Sequence, residues 1–276
     1  MKPARFDYAR PNDVASALEL ARAHSSSKFL AGGQSLGPLL NLRLAQPDLL
    51  IDITAIKDLK RVEESRDGVT IGSCVTHADI EDGRVPDVTG GRLRAVAARI
   101  AYRAVRNRGT VGGSLAHADP AADWISAMSA LGADAVIAGA QGERRAAVET
   151  LMTGVFECSL ADGELLTGVH VPRLSPSARW GYYKYCRKTG ELAQAIGAYL
   201  YDRDRSVCRA VIGAAGGPPI VVRNAEPLFA DGAAGPANID RAAVSQAMAA
   251  QGMADPFEQQ IHFVCLQRAI AQAHQQ

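Results

Sequence analysis

Thr110-Val111-Gly112-Gly113-Ser114-Leu115-Ala116-His117-Ala118-Asp119-Pro120 is the stretch from which the rest of the chain can be read outward. Two adjacent glycines flanked by hydroxyl side chains let the backbone come close to a ligand. They also let several N–H groups turn toward one point, a concavity suited to phosphate oxygens. Asp119 and Pro120 read as N-cap and first-turn proline of a helix reaching Leu131. Far upstream, Ala31-Gly32-Gly33-Gln34-Ser35-Leu36 has the same character and follows a short apolar strand at Lys28 to Leu30. A dinucleotide has two phosphates and a long body, so two separated loops of one kind suit it better than either alone. Two unrelated turns remain an open reading of the same spacing. Neither loop matches G-x-G-x-x-G or G-x-x-x-x-G-K-[ST], so a standard NAD or ATP fold is not supported.

Around these loops the patterns alternate. Pro11, Asn12 and Asp13 open a helix with apolar face Val14, Ala17, Leu18 and Ala21, and three serines from Ser25 end it. A second apolar strand runs from Leu49 to Ile53, making a small β–loop–β unit. Val69 to Ile71, Thr76 to Asp82 and a helix from Gly91 to Asn107 follow, the last burying Leu93, Val96, Ala97, Ile100 and Ala104. Strands near Ala135 to Ala138 and Leu165 to Val171 close this region, and Pro172, Ser175, Pro176 and Ser177 read as a linker. Beyond it, Trp180 to Cys186, Gly197 to Tyr201 and Val207 to Ala214 read as a smaller antiparallel sheet. Helices from about Ile239 to Ala250 and Pro256 to Ala273 are expected to cover it. The class is α+β.

Composition narrows the functions available. The 276 residues carry 30 Lys+Arg against 29 Asp+Glu and are 47% hydrophobic, enough for a sizeable core and too balanced in charge to hold a nucleic acid or an anionic bilayer. No apolar stretch approaches the roughly 18 to 20 residues of a membrane helix, and the first residues lack an apolar signal core, so an unexported cytoplasmic chain without membrane insertion is expected. Cys74, Cys158, Cys186, Cys208 and Cys265 stand far apart with no C-x-x-C, so these thiols are not expected to hold a metal or an iron–sulfur cluster.

Other constellations compete for a role. Gly33-Gln34-Ser35-Leu36-Gly37 formally matches the G-x-S-x-G nucleophile elbow, so acyl transfer by Ser35 is an alternative, as is a nucleotide-binding scaffold without redox chemistry. Only about 30 residues precede Ser35, however, and no HGGG-type segment is present to donate to an oxyanion. His77, His117 with Asp119, and His170 show no metal-ligand spacing. Arg92, Arg99, Arg103 and Arg106 form a face that is solvated or meets an anion. Tyr182-Tyr183-Lys184-Tyr185 offers a cation and rings for a planar ligand, or simply a core strand.

Taken together, AGGQSL from Ala31, TVGGSLAHADPAADW from Thr110, ELLTGVHVP and YYKYCRKTGELA resemble the FAD-binding medium subunit of the molybdenum hydroxylases, the carbon monoxide dehydrogenase and xanthine dehydrogenase family. The resemblance runs over nearly the full length. It implies a PCMH-type, vanillyl-oxidase-like FAD-binding domain over residues 1–175, made of two α/β subdomains of about 1–55 and 56–175. A small C-terminal domain, 176–276, with a three-stranded antiparallel sheet and helices, completes the implied fold. By resemblance, Ala31, Gly32, Gly33, Gln34, Ser35 and Leu36 would wrap the FAD pyrophosphate from one side and Thr110, Gly112, Gly113 and Ser114 from the other. Asp123 would bond the polar tail, Ile100 and Ala101 line the cavity, Leu166 pack at the ring region and Lys184 lie by the isoalloxazine.

The resemblance also implies a role in electron transfer, from two [2Fe–2S] clusters on a small subunit to an external acceptor, with substrate hydroxylated at a molybdopterin centre on a large subunit. A dimer of heterotrimers is the implied assembly. No catalytic acid–base pair is expected on this chain, because the chemistry belongs to the cofactor. Many relatives carry Tyr or Trp after K-T-G-[DE], where this chain has Leu192. The cysteine-bearing insertion of the aromatic-CoA reductase branch has no counterpart here.

Overall fold

In the computed structural model, which describes residues 2–230 and 238–275, the N-terminal unit is built on three parallel strands. β1 (Asp7–Ala9) leads into α1 (Val14–Ala23), whose N-cap Asp13 accepts from the Ser16 N–H at 2.8 Å. Ala17 and Leu18 are the buried positions of α1, which packs on β3. β2 (Ser27–Leu30), α2 (Leu36–Asn41) and β3 (Leu49–Asp52) complete the unit, in strand order β1-β3-β2. The β–loop–β expectation therefore gains an edge strand and a short helix. Neither carries a clear signal, since Asp7-Tyr8-Ala9 is a largely exposed edge and the helix Leu-Gly-Pro-Leu-Leu-Asn contains two breakers.

β4 (Val62–Glu64) and β5 (Gly68–Gly72) form a hairpin, followed by α3 (His77–Glu81), opened by a reciprocal capping box of Thr76 and Asp79. α4 (Arg92–Ala97), α5 (Arg103–Arg106), α6 (Val111–His117) and α7 (Asp123–Leu131) lead to β6 (Asp134–Gly139) and β7 (Gly142–Ala147). A small hairpin, β8 (Met152–Gly154) and β9 (Glu157–Cys158), precedes β10 (Leu165–Pro172). The sheet order is β4-β5-β10-β6-β7 and every pairing is antiparallel. An alternating α/β build for residues 56–175 is thus corrected: hairpins make the sheet, and the helices are inserted between β5 and β6.

Two helical expectations change. The segment Gly91 to Asn107 is not one helix; it breaks after Ala97, and Ala101 takes φ +41° before α5 begins. Thr110 to Ser114 is not an open loop but the start of α6, with the Thr110 hydroxyl accepting from the Gly113 N–H at 3.0 Å. Ala118 ends α6 in the left-handed region, and α7 starts at Asp123 with N-cap Ala122. Asp119 instead accepts from the Ala121 N–H, so Asp119-Pro120 makes a turn between helices and caps neither.

β11 (Arg179–Tyr185), β12 (Ala195–Asp202), β13 (Val207–Gly213) and β14 (Ile220–Val222) form the C-terminal sheet, with α8 (Arg241–Ala249) and α9 (Pro256–His274) after it. The sheet has four strands where three were expected, because Ile220 to Val222 is too short a run to stand out after Gly216-Gly217-Pro218-Pro219. The segment 172–177 is not a loose linker: Ser175 donates its N–H (3.0 Å) and hydroxyl (2.6 Å) to the buried Asp202 carboxylate.

α7 is buried along its whole length and touches β10 as well as β12 and β13. The main core is consequently continuous from the five-stranded sheet through Trp124 and Met128 to Trp180, Ile196 and Val211. A second core lies between Tyr199, Ala210 and Ile212 and the two terminal helices, and a third under the parallel sheet. This framework holds the β2–α2 turn and the Gly109 to Ser114 segment in fixed positions.

Candidate cofactor site

The first diglycine turn leaves β2 at Leu30 and enters α2 at Leu36. Gly33 sits at φ +71°, a left-handed conformation that a side chain makes costly. The turn folds back on itself through the Gly37 N–H donating to the Gly33 carbonyl at 2.9 Å. Among the described residues, the N–H groups of Gly32, Gly33, Gln34, Ser35 and Leu36 meet no acceptor. Five consecutive free donors at a turn and helix start are the pattern of an anion-binding nest.

The second segment is zipped to the end of β5 and the start of α3. Gly109 O accepts from His77 N–H (2.9 Å), Val111 N–H donates to Val75 O (3.1 Å) and Gly112 N–H donates to Ser73 O (3.0 Å). Beneath it, the indole N–H of fully buried Trp124 donates to His77 Nδ1 at 3.0 Å. Burial drives the His77 pKa down to about 4, so the ring is neutral and braces the Gly109 backbone. His77, singled out from sequence, is therefore structural.

These two segments touch. A Cβ on Gly32 would overlap the Arg108 carbonyl, lying 2.7 Å from its carbon and 2.9 Å from Gly109 Cα, so only glycine permits the approach. A Cβ on Gly113 would stand 3.7 Å from that of Ala31. The division of labour differs from the symmetric wrapping expected. The N–H groups of Gly112, Gly113 and Ser114 are already committed to Ser73 O, Thr110 Oγ1 and Thr110 O. The first turn supplies free N–H donors, while the second supplies a bare backbone surface at exposed Gly113 and the Ser114 hydroxyl.

Asp123 and Lys184 are brought together, deeply buried. The Asp123 carboxylate accepts from Lys184 Nζ at 2.8 Å through one oxygen and from the Tyr182 hydroxyl at 2.8 Å through the other. Burial, and then the Asp123 charge, push the Tyr182 hydroxyl well above its ordinary pKa, so it remains a donor. Lys184 Nζ also donates to Arg99 O at 2.8 Å. Asp123, expected as a direct contact to a ligand tail, is in this structure an internal clamp between α7 and β11. Leu166 is buried in the main core beside the bulge of β10, paired with Ile137.

Ile100 and Ala101 lie in the break between α4 and α5. Arg106 holds that break: its Nη1 donates to Ile100 O (3.0 Å) and Ala101 O (3.2 Å), while Nε and Nη2 fork onto Glu81 at 2.8 and 2.9 Å. Hydrogen bonding from Arg106 lowers the Glu81 pKa, and Arg103 bridges Glu81 and Asp82. The arginine face thus divides, with Arg103 and Arg106 serving a local acidic pair rather than a ligand. No spacing rule in the sequence marks Arg106 as the brace of the break.

A model of the FAD binding domain in molybdopterin dehydrogenase matches residues 4–174. The chain belongs to this family, as an FAD-binding medium subunit of the molybdenum hydroxylase type. It is 36% identical over 226 residues to the 6-hydroxypseudooxynicotine dehydrogenase complex subunit alpha of Paenarthrobacter nicotinovorans, covering 81% of this chain and 76% of that one. Against the carbon monoxide dehydrogenase medium chain of Hydrogenophaga pseudoflava it is 36% identical over 196 residues, 71% of this chain and 68% of that one. A solved carbon monoxide dehydrogenase from Hydrogenophaga pseudoflava superposes over 100% of this chain and 99% of its own with a TM-score of 0.86 and 29% identity.

For a medium subunit of this family, FAD is the cofactor, and the free donors and side-chain-free contact at Gly32 have the chemistry a diphosphate needs. The serine-hydrolase alternative falls. A nucleophile elbow is a strained turn, whereas Ser35 is an exposed residue at φ −102°, ψ −50°, opening α2, with no side-chain partner among the described residues. The positive φ belongs to Gly33 instead. Among the described residues no helix is long and apolar enough to cross a membrane.

Proposed function

We propose that this chain carries FAD as the electron-transfer subunit of a molybdenum-containing hydroxylase or dehydrogenase. It takes electrons from [2Fe–2S] clusters on a small subunit and delivers them to an external acceptor, while a large molybdopterin subunit binds the substrate. The observation that carries this reading is the run of free N–H groups from Gly32 to Leu36, in a turn whose Gly32 lies against the Arg108–Gly109 backbone that leads into the second diglycine segment. When bound, FAD supplies a redox centre that no side chain of the protein provides.

The chain itself binds and orients. Ala31 to Leu36 hold the diphosphate through main-chain donors, and Thr110, Gly112, Gly113 and Ser114 close the opposite wall. Ile100, Ala101 and Lys184 belong to the ring end, with Leu166 supporting from the core. Asp123 acts by fixing Lys184 and Tyr182, and Lys184 in turn ties Arg99 in place. We take residues 1–175 as the PCMH-type flavin domain, with subdomains of about 1–55 and 56–175, and 176–276 as the C-terminal domain. The relatives named as a complex subunit and a medium chain favour partner chains, which we take to be a large and a small subunit, and we take the assembly to be a dimer of heterotrimers. Five unbridged cysteines suit the reducing cytoplasm.

The visible absorption spectrum tests the reading. The purified chain mixed with FAD and freed of excess retains about one flavin per chain, bleached by dithionite. A chain that keeps no flavin after the same treatment refutes it.

A further inference from the structure

The break between α4 and α5 is built at some cost and displays one side chain. Three successive carbonyls, of Arg99, Ile100 and Ala101, accept from charged groups: Lys184 Nζ for the first and Arg106 Nη1 for the other two. Between them they hold Ala101 at φ +41°, a conformation that an L residue keeps only when its surroundings impose it. The residue delivered by this turn is Tyr102, at the N-cap of α5, where its side chain makes no capping bond and Ser, Asp or Asn would stabilise the helix. Local structure gains nothing from a tyrosine there.

Tyr102 is also 61% exposed, and its hydroxyl has no partner among the described residues. Its ring tip rests on Gly190: a Cβ there would lie 2.5 Å from Tyr102 Cζ and 2.7 Å from Cε1, and Gly190 has φ +88°. Gly190 belongs to the turn after β11, which also carries Leu192 at 60% exposure. The segment 99–102 is therefore bracketed by β11 through Lys184 and by the following turn through Gly190. Tyr102 is held in place at its tip while most of the ring stays open. A large, flat, open aromatic surface fixed in position at a ligand site is what a planar ring stacks on.

We infer that Tyr102 is the aromatic side chain that lies against the isoalloxazine ring, with Gly190 fixing its tip. This rests on the FAD reading above. Tyr102 acts by contact with the cofactor and makes no bond to it.

The test compares the full chain carrying Tyr102, Tyr102→Leu or Tyr102→Trp, each titrated with FAD, reading emission per bound flavin and Kd. An electron-rich phenol or indole in van der Waals contact quenches flavin emission. The parent should be dark and Tyr102→Leu several-fold brighter, with Kd raised roughly 2- to 12-fold for the loss of one aromatic pair. Tyr102→Trp should be dark again. Emission decides: a Leu variant as dark as the parent, or a Trp variant as bright as the Leu variant, overturns the inference. A parent chain that binds no FAD overturns the FAD reading itself, which is a different result.

Discussion

Removing the Asp123 carboxylate should cost far more than one lost ligand contact. Asp123→Ala leaves the Lys184 ammonium, whose side chain is 4% exposed, with only the Arg99 carbonyl, and strips the Tyr182 hydroxyl of its acceptor. Breaking a buried ion pair by deleting one partner costs about 3–5 kcal/mol. A stranded buried hydroxyl adds about 1–3 kcal/mol. A loss of about 4 kcal/mol or more is therefore expected, and Asp123→Ala does not spare the fold. Asp123→Ala combined with Lys184→Met removes both charges and should recover most of that loss, because the two effects share one interaction. Urea unfolding followed by the fluorescence of Trp124 and Trp180 measures all three chains. A single-variant loss below about 1 kcal/mol, or a double variant no more stable than the single, would refute the clamp. The same comparison governs FAD binding: affinity that is weakened in Asp123→Ala and returns in the double variant, which also lacks Asp123, reports the unpaired Lys184 charge and not a lost contact from Asp123 to the cofactor.

Gly32→Ala places a methyl group on the Arg108 carbonyl; it should cost about 1–3 kcal/mol in denaturant unfolding and weaken FAD about tenfold or more by parting the two segments. Gly33→Val forces a β-branched residue to φ +71° beside Leu30 Cδ1, at about 1–2 kcal/mol, and should lower flavin retained per chain; full retention would count against the turn as the binding element. Stability should also fall with acidification between about pH 6.5 and pH 4. His77 and His262 are buried with pKa driven down to about 4, so the unfolded chain binds more protons in that window and stability rises with pH there. Each contributes a slope of up to about 1.4 kcal/mol per pH unit, and His77→Asn should halve the slope measured by unfolding at fixed urea.

Both diglycine segments are legible in the sequence because the requirement they meet is local: backbone close to a ligand, or φ above zero at Gly33. That they meet is not legible from spacing, which leaves two unrelated turns open; the resemblance supplies it. The N–H economy of the second segment is hidden, since Ser73 and Thr110 take its donors only once β5 and α6 are in place. The apolar pattern from Leu93 to Ala104 is continuous and predicts one helix. What breaks it is a lysine 85 residues further on and an arginine that prefers two carbonyls and Glu81 to solvent. Asp123 stands out in the sequence, but its partners lie 59 and 61 residues away on β11, so its role as a clamp cannot be read in advance. β1 and β14 escape the pattern because three residues carry too little periodicity.

Calorimetric titration of the flavin-free chain with FAD and with riboflavin bears most directly on the two segments closing on a diphosphate. Riboflavin keeps the ring but lacks the phosphates and the adenosine beyond them. If two of the Gly32 to Leu36 N–H groups bond the diphosphate at about 1.5 kcal/mol each or more, FAD binds at least about a hundredfold tighter. Riboflavin binding as tightly as FAD would contradict the account.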